Sequence, residues 1–418
     1  MNILLIHQNY PGQYRHFLGW LIDQGGHTIV FLTQRQGLAE VKSHKIVVYK
    51  PDHQAADDAY PLSRYFESCC GAGLAVANVC HALKREGFTP DIVIGHSGWG
   101  ETLFVKEVWP GVPVLAYFEY FYRAKGGAVG FDPEFPSSDR MPFIMNARNA
   151  VNHLSYAACD AGQTATKWQR DGYPPSFHDK IKVIHEGVRT DLLGPNPDVS
   201  VKLGRVEKPV TREDEVFTYV ARNLEPVRGF HTMMRALPKI LERRPNARAL
   251  IIGGNEISYG RKSDQPGGFR AQMEQEVGDD IDWSRVHFLG RVPYDIFINV
   301  LQLTRCHIYL TVPFVLSWSL LEAMAVEATV VASGTAPVRE VMEDGKTGLL
   351  VDFFSPEALA DAVVEVLGQE DNCRDIGKAA RRHVVERYDF RAVRLPDHVS
   401  YINSLLPKGS DLVLPTAS

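Results

Sequence analysis

Short apolar runs alternate with amphipathic segments along almost the whole chain, and the alternation breaks only once. The run 3–6 is too short for a helix and ends at His7, so it reads as a strand buried on both faces. Residues 13–21 place Phe17, Leu18 and Leu21 on one helical face. Strands follow at 27–32 and 45–49, a long helix at 69–84, and further strands at 91–95 and 113–118. Such alternation specifies a doubly wound parallel sheet. Over 191–215 it gives way to Gly194, Pro195, Pro197 and clustered charges, the signature of a linker. The pattern then restarts with strand 217–220, helix 230–243 and strand 249–252, followed by strands at 287–289, 307–311 and 329–332. Residues 259–268, polar and Gly-rich, read as a loop. The expected fold class is α/β, with two Rossmann-like domains whose parallel sheets face a central cleft, the usual ligand position. The domains are expected at 1–190 and 216–389.

A chain of 418 residues exceeds what one core organises, which agrees with two domains. The net charge of -5 argues against nucleic acid as a partner. Residues 1–190 hold 18 Lys and Arg against 18 Asp and Glu, so membrane association is not indicated by charge. Six scattered cysteines without a CxxC pair suit buried thiols in a reducing cytoplasm. The N-terminal apolar run lacks a basic leader and is too short for a signal peptide, and no other run reads as a membrane span. No metal-ligand spacing occurs, so neither metal nor cofactor is expected. Gly253-Gly254 is far from a dinucleotide fingerprint, which argues against a dehydrogenase.

Three segments carry chemistry. Pro313 to Ala325 follows a strand and opens a helix, where backbone N–H groups of Ser317, Trp318, Ser319 and Leu320 suit phosphate. Glu322 then suits ribose hydroxyls; the alternative is an acidic first turn stabilising its own helix. Between Val220 and Phe230, Arg222 leaves a strand and Arg228 stands at the foot of a helix, a spacing that suits a diphosphate clamp. Two solvated surface arginines are the alternative. Residues 333–348 supply a Gly-bearing turn, a helix and a closing turn. Nearer the N-terminus, His96 ends a strand, as either a cleft-facing group or a structural histidine. Glu119 is a carboxylate candidate for acceptor contact or proton handling, or else a salt-bridge partner of Arg123 or Lys125.

Together these segments resemble the retaining glycosyltransferase family four, of GT-B architecture, most clearly over 218–351. The family's Arg and Lys-Gly element is read here as Arg222 with Arg228-Gly229, and its Glu-Ala-Met-Ala as Glu322 to Ala325. Gly187-Val188-Arg189 stands at its Gly-Val-Asp, and Phe288 to Val292 at its Phe-Leu-Gly and base-contacting loop. The resemblance implies a metal-free transfer of a sugar, with retention, from a nucleotide-diphosphate-sugar donor to a small-molecule or glycan acceptor. It places the donor in the second domain, with Gly254, Arg291, Val292 and Phe314 around it, and Gly12 in a phosphate-side loop of the first. It also implies that a helix at about 390–406 crosses back to the first domain. Two positions depart from the pattern: Phe314 stands where the family has a Glu, and Glu119 where it often has a His. A nucleotide-sugar epimerase and a non-catalytic sugar-nucleotide binder are the alternatives.

Overall fold

The computed structural model describes residues 1–414 except 205, 261, 262, 264 and 369. Seven parallel strands form the first sheet: β1 (Asn2–Ile6), β2 (Thr28–Thr33), β3 (Lys45–Val48), β4 (Ile92–His96), β5 (Val114–Tyr117), β6 (Ala161–Thr164) and β7 (Ile181–Val183). Their order is β3-β2-β1-β4-β5-β6-β7. In β1, Leu4 lies opposite Val30 of β2 and Val93 of β4. Alternate residues serve opposite faces, which is why these strands read as continuous apolar runs. Leu4 and Ile6 pack with Val76, Cys80 and Leu83 of helix Arg64–Arg85, whereas Ile3 and Leu5 pack with Phe17, Leu21, Leu395 and Val399.

Helix Arg64–Arg85 is 22 residues long and holds an 18-residue stretch with a mean hydropathy of 1.2, enough by length and composition to cross a membrane. The sequence reading did not single it out in this respect. Half of its most apolar stretch is buried inside the protein, as in a core helix. The helix expected from residue 13 begins as a 3-10 turn, Gly12–Tyr14, and becomes α-helical over Arg15–Gln24. All six cysteines are free thiols.

The chain divides into two compact units, Met1–Gly187 with Phe390–Ser418, and Val188–Asp389. Residues 191–215 do not behave as the expected linker: they belong to the second unit. There β8 (Ser200–Val201) pairs antiparallel with β9 (Val210–Thr211), and Val199, Leu203 and Val210 are buried with Leu250, Ile252 and Val300. Two-residue strands carry no periodicity, so only their anchors could have betrayed them. The second sheet contains β10 (Val216–Asn223), β11 (Arg248–Gly254), β12 (Val286–Gly290), β13 (Cys306–Tyr309), β14 (Thr329–Ser333) and β15 (Leu349–Val351). They run parallel in the order β12-β11-β10-β13-β14-β15. Helix Phe230–Arg243 follows Gly229, whose φ of +66° favours glycine, and buries Phe230, Met233, Leu237 and Ile240.

Each sheet reverses its strand order once, between β1 and β4 in the first and between β10 and β13 in the second. Chains leaving the carboxyl ends of such a strand pair diverge and open a crevice. Those two points are where the candidate residues collect.

Candidate functional site

In the second unit, Arg222 and Arg228 approach one aromatic ring. Their guanidinium carbons lie 5.8 and 5.6 Å from the centre of Tyr259. Arg228 is buried, donating to Thr311 Oγ1 at 2.8 Å and to the Val315 carbonyl at 3.1 Å. Its guanidinium also lies 5.5 Å from the Phe314 ring, and Phe314 itself is 5.0 Å from Tyr259. Arg222 is exposed. The arrangement is thus one fixed and one solvent-facing cation, not two solvated arginines. Like charges held near one ring repel, and the ring faces offset only part of that. The pair has the charge to receive an anion such as a diphosphate.

Tyr259 is itself held from below. Glu225, fully buried, accepts the backbone N–H groups of Ser258, Tyr259 and Gly260 at 3.2, 3.2 and 3.0 Å. The sequence reading missed both Glu225 and Tyr259; a Glu between Leu224 and Pro226 carries no local signal. The loop read over 259–268 includes 261, 262 and 264, which lie outside the described residues.

Helix Trp318–Ala325 begins at Ser317, as expected, but its first N–H groups are already engaged. Ser317 N–H donates to the Tyr309 hydroxyl at 2.7 Å, Ser319 N–H to Ser317 Oγ at 3.4 Å, and Leu320 N–H to the Ser317 carbonyl at 3.2 Å. A phosphate here has to displace the long Ser317 cap. The Leu320 side chain is in the core with Leu301 and Tyr309, so this residue can offer a ligand only backbone. Trp318 is 37% exposed. Glu322 lies beyond the first turn, which removes the reading of an acid serving its own helix terminus. It is buried, and its Oε1 accepts the Tyr294 hydroxyl at 2.7 Å.

Arg291 donates to Asn223 Oδ1 at 3.0 Å and pairs with the Glu256 carboxylate. Gly254 makes that approach possible: a Cβ there would lie 2.5 Å from Asn223 Oδ1 and 2.8 Å from Arg291 Nε. Val292 is half-buried beside it, against the cluster of Leu250 and Ile252. The ends of β10, β11, β12 and β13 therefore gather Arg222, Arg228, Gly254, Arg291, Phe314 and Glu322 in one unit.

The first unit has its own cluster, centred on Glu119. His7 Nδ1 accepts the Asn9 N–H at 2.9 Å, which leaves the ring proton on Nε2 to donate to Gln13 Oε1 at 2.5 Å. Gln13 Nε2 then donates to Glu119 Oε1 at 2.9 Å. His96 Nδ1 accepts the Gly98 N–H at 3.1 Å, so its Nε2 proton faces the other Glu119 oxygen at 3.4 Å. That is an ion-pair distance, longer than a well-aligned hydrogen bond. The His96 ring is buried and stacked on Trp99, with centroids 3.9 Å apart. Gly12 has a φ of +55°, and a Cβ on it would lie 2.5 Å from the His7 ring. Gln13 and His7 were not foreseen; their pairing crosses 106 residues to Glu119 and exists only in the fold.

Behind this cluster, Glu186 is fully buried and accepts the Tyr117 hydroxyl. Burial, more than any neighbour, pushes its carboxyl up to about 7. Burial also pushes His185 down to about 3, so the 3.6 Å approach of these neighbours joins a neutral imidazole to a carboxyl near its titration point. Among the described residues no three His, Cys, Asp or Glu side chains converge as a metal set. A cavity of about 560 Å³ flanks helix Arg64–Arg85, where Leu74, Ala77, Phe104 and Val108 line it together with His53, Glu67, Asn78, His81 and Glu107; none of the site residues expected from the sequence lines it.

Residues 25–193 match the family model described as Glycosyl transferase family 4 group, and residues 205–383 that described as Glycosyl transferases group 1. The D-inositol 3-phosphate glycosyltransferase of Corynebacterium glutamicum (strain R) is 29% identical over 209 residues, 49% of this chain and 47% of that protein. The phosphatidyl-myo-inositol mannosyltransferase of Mycobacterium tuberculosis (strain ATCC 25618 / H37Rv) is 30% identical over 189 residues, covering 44% of this chain and 45% of that protein. The chain spans about half the length of the curated relatives it matches. Sucrose-phosphate synthase from Thermosynechococcus elongatus superposes with a TM-score of 0.72 at 17% identity, covering 96% of this chain and 98% of that one. Anabaena HepE, in complex with UDP-glucose, gives 0.68 at 17% identity, covering 97% and 100%. At these identities the two structures share the GT-B fold with this chain.

Proposed function

Since the chain belongs to the family-four group of glycosyl transferases, we propose that it moves a sugar, with retention and without a metal, from a nucleotide-diphosphate-sugar to an acceptor hydroxyl. The observation that carries this reading is the convergence of Arg222 and Arg228 on Tyr259 at the strand reversal of the second sheet, with a buried Glu322 on the helix that follows β13. Arg222 and Arg228 hold the diphosphate, Glu322 accepts ribose hydroxyls, and Arg291 with Val292 lies against the base. Charge grows on the departing diphosphate as its bond to the anomeric carbon breaks, and two cations already in place stabilise it without reorganisation. The acceptor oxygen bonds to that carbon on the same face, and its proton passes to the departing phosphate oxygen. Glu119, held by Gln13 and facing the His96 ring, accepts from an acceptor hydroxyl and orients it.

The relative in complex with UDP-glucose makes uridine diphosphate the first nucleotide to try, and the relatives named for inositol substrates make inositol phosphate and phosphatidylinositol the first acceptors. The test mixes UDP-glucose or GDP-mannose with each acceptor and follows free nucleotide, glycosylated product and its anomeric configuration by NMR. Transfer with retained configuration that survives EDTA is the expected outcome. Inverted product, or activity lost to EDTA and restored by magnesium or manganese, overturns the corresponding part. Nucleotide-sugar isomerised without acceptor favours an epimerase, and binding without turnover a non-catalytic binder.

A further inference from the structure

We propose that Tyr294 is a positioning residue of the donor site, whose hydroxyl fixes the Glu322 carboxylate in the orientation that receives ribose. The inference rests on the reading of Glu322 as the ribose acceptor and adds a residue that neither spacing nor family pattern indicated. Tyr294 is the first residue of helix Tyr294–Leu303 and follows the turn Arg291-Val292-Pro293 at the end of β12. Gly290, with a φ of +66°, bends the chain there. One turn on, Phe297 lies 5.7 Å from the Tyr294 ring at an interplanar angle of 31°, so the phenol leans on its own helix. From that support the hydroxyl crosses to the neighbouring helix, Trp318–Ala325, and donates to Glu322 Oε1 at 2.7 Å.

The chemistry of the pair follows from capacity. A carboxylate offers about four lone-pair directions, of which the phenol bond occupies one. Glu322 has three side-chain torsions, and a buried carboxylate that samples several rotamers loses affinity each time a ligand must reorder it. A donor already bound to one oxygen removes that cost before the nucleotide arrives. Burial makes the same bond stronger than at the surface. Tyr294, by contrast, is 42% exposed, so its hydroxyl is not needed to complete the core. A merely structural bond would affect stability and leave recognition of the ribose untouched.

The test measures binding of UDP and GDP, each beside its 2′-deoxy counterpart, to the wild-type chain and to Tyr294→Phe by calorimetry. The wild type is expected to prefer the ribonucleotide about tenfold or more. In Tyr294→Phe that preference should fall by about five- to tenfold, with 2′-deoxynucleotide affinity nearly unchanged and the melting temperature held. Full ribose preference in Tyr294→Phe overturns the inference and leaves the Glu322 reading standing. A wild type blind to the 2′ hydroxyl with both nucleotides overturns the Glu322 reading, and the inference with it. Should Tyr294→Phe melt early, Tyr294→His, which keeps a ring N–H donor, is the second variant. Partial recovery of ribose preference supports the inference, and a preference no different from that of Tyr294→Phe overturns it.

Discussion

Replacing Arg222 and Arg228 by alanine, one at a time, separates what the two cations do. Each removes one charge-assisted contact to a bound diphosphate, at a cost of about 1.5–3 kcal/mol, or roughly ten- to a hundredfold in affinity. Their effects on the unliganded fold should differ. Arg222 is exposed, so its loss leaves the melting temperature within about 1 °C and removes a like charge from its neighbour. Arg228 is 8% exposed and donates to Thr311 Oγ1 and the Val315 carbonyl. Its loss strands those acceptors, at about 1–3 kcal/mol, a fall of several degrees in a unit of this size. Relief of the repulsion between the two cations brings that fall toward the lower end. Arg228→Lys should keep part of the binding, since a point charge replaces a fork that makes two directed bonds. Calorimetry with UDP and GDP gives the affinities, and thermal melting without nucleotide gives the stabilities. Unchanged diphosphate affinity in both alanine variants removes the clamp. Equal destabilisation by the two contradicts the assignment of one held and one exposed arginine.

Glu186, raised from 4.5 to about 7 by burial, contributes stability that is fully present below pH 4.5 and lost as pH rises through 7, on the order of 3 kcal/mol. His185 and His398, pushed down to about 3 and about 4, contribute the opposite slope, so the difference between wild type and Glu186→Gln isolates the carboxyl. Melting curves from pH 5 to 8 should show the variant gaining on the wild type as pH rises; parallel curves refute the assignment. Gly12→Ala places a Cβ 2.5 Å from the His7 ring at a φ of +55°, and should cost about 1–3 kcal/mol and weaken the hold of Gln13 on Glu119. Unaltered melting and turnover would show that the loop has room to spare. Phe314, beside Tyr259 and Arg228, cannot accept a sugar hydroxyl, so the wild type should use a deoxy donor at least as well as its hydroxylated counterpart, and Phe314→Glu should reverse that ratio of kcat/KM. Strong wild-type preference for the hydroxylated donor with a dead variant would make Phe314 a packing residue.

The strands legible in the sequence are those whose burial on both faces demands continuous apolar side chains, such as β1, β4 and β10. Helix Phe230–Arg243 is legible to the residue because Gly229 marks its start and Arg244-Pro245 its end. Strand β6, Ala-Gly-Gln-Thr, escaped because it is buried by smallness: a Cβ on Gly162 would lie 2.9 Å from Phe118 and Ile181. In the site, Arg222 and Arg228 stood out through their positions at element ends, and Glu322 as the acid in the helix that follows a buried strand. Glu225, Tyr259, Tyr294, His7 and Gln13 did not, because each acts through a partner distant in sequence or lying on another element. The free N–H groups expected near Ser317 are engaged by two side-chain hydroxyls, of Tyr309 and Ser317, and by the Ser317 carbonyl.

The residues after Asp389 are helical and cover one face of the sheet that the first residues begin. Phe390, Leu395, Val399 and Ile402 lie in one core with Ile3, Leu5 and Phe17, and the Tyr401 hydroxyl donates to the Gly162 carbonyl at 3.0 Å. During synthesis the first seven strands therefore emerge with part of one apolar face uncovered and stay so while about 200 further residues are made, a span that itself forms a compact unit. Val188–Asp389 can close on the ribosome, whereas the first unit closes only once residues 390–406 have emerged. A nonsense codon shortly after position 389 would thus damage the unit built from residues 1–187 rather than the one just completed.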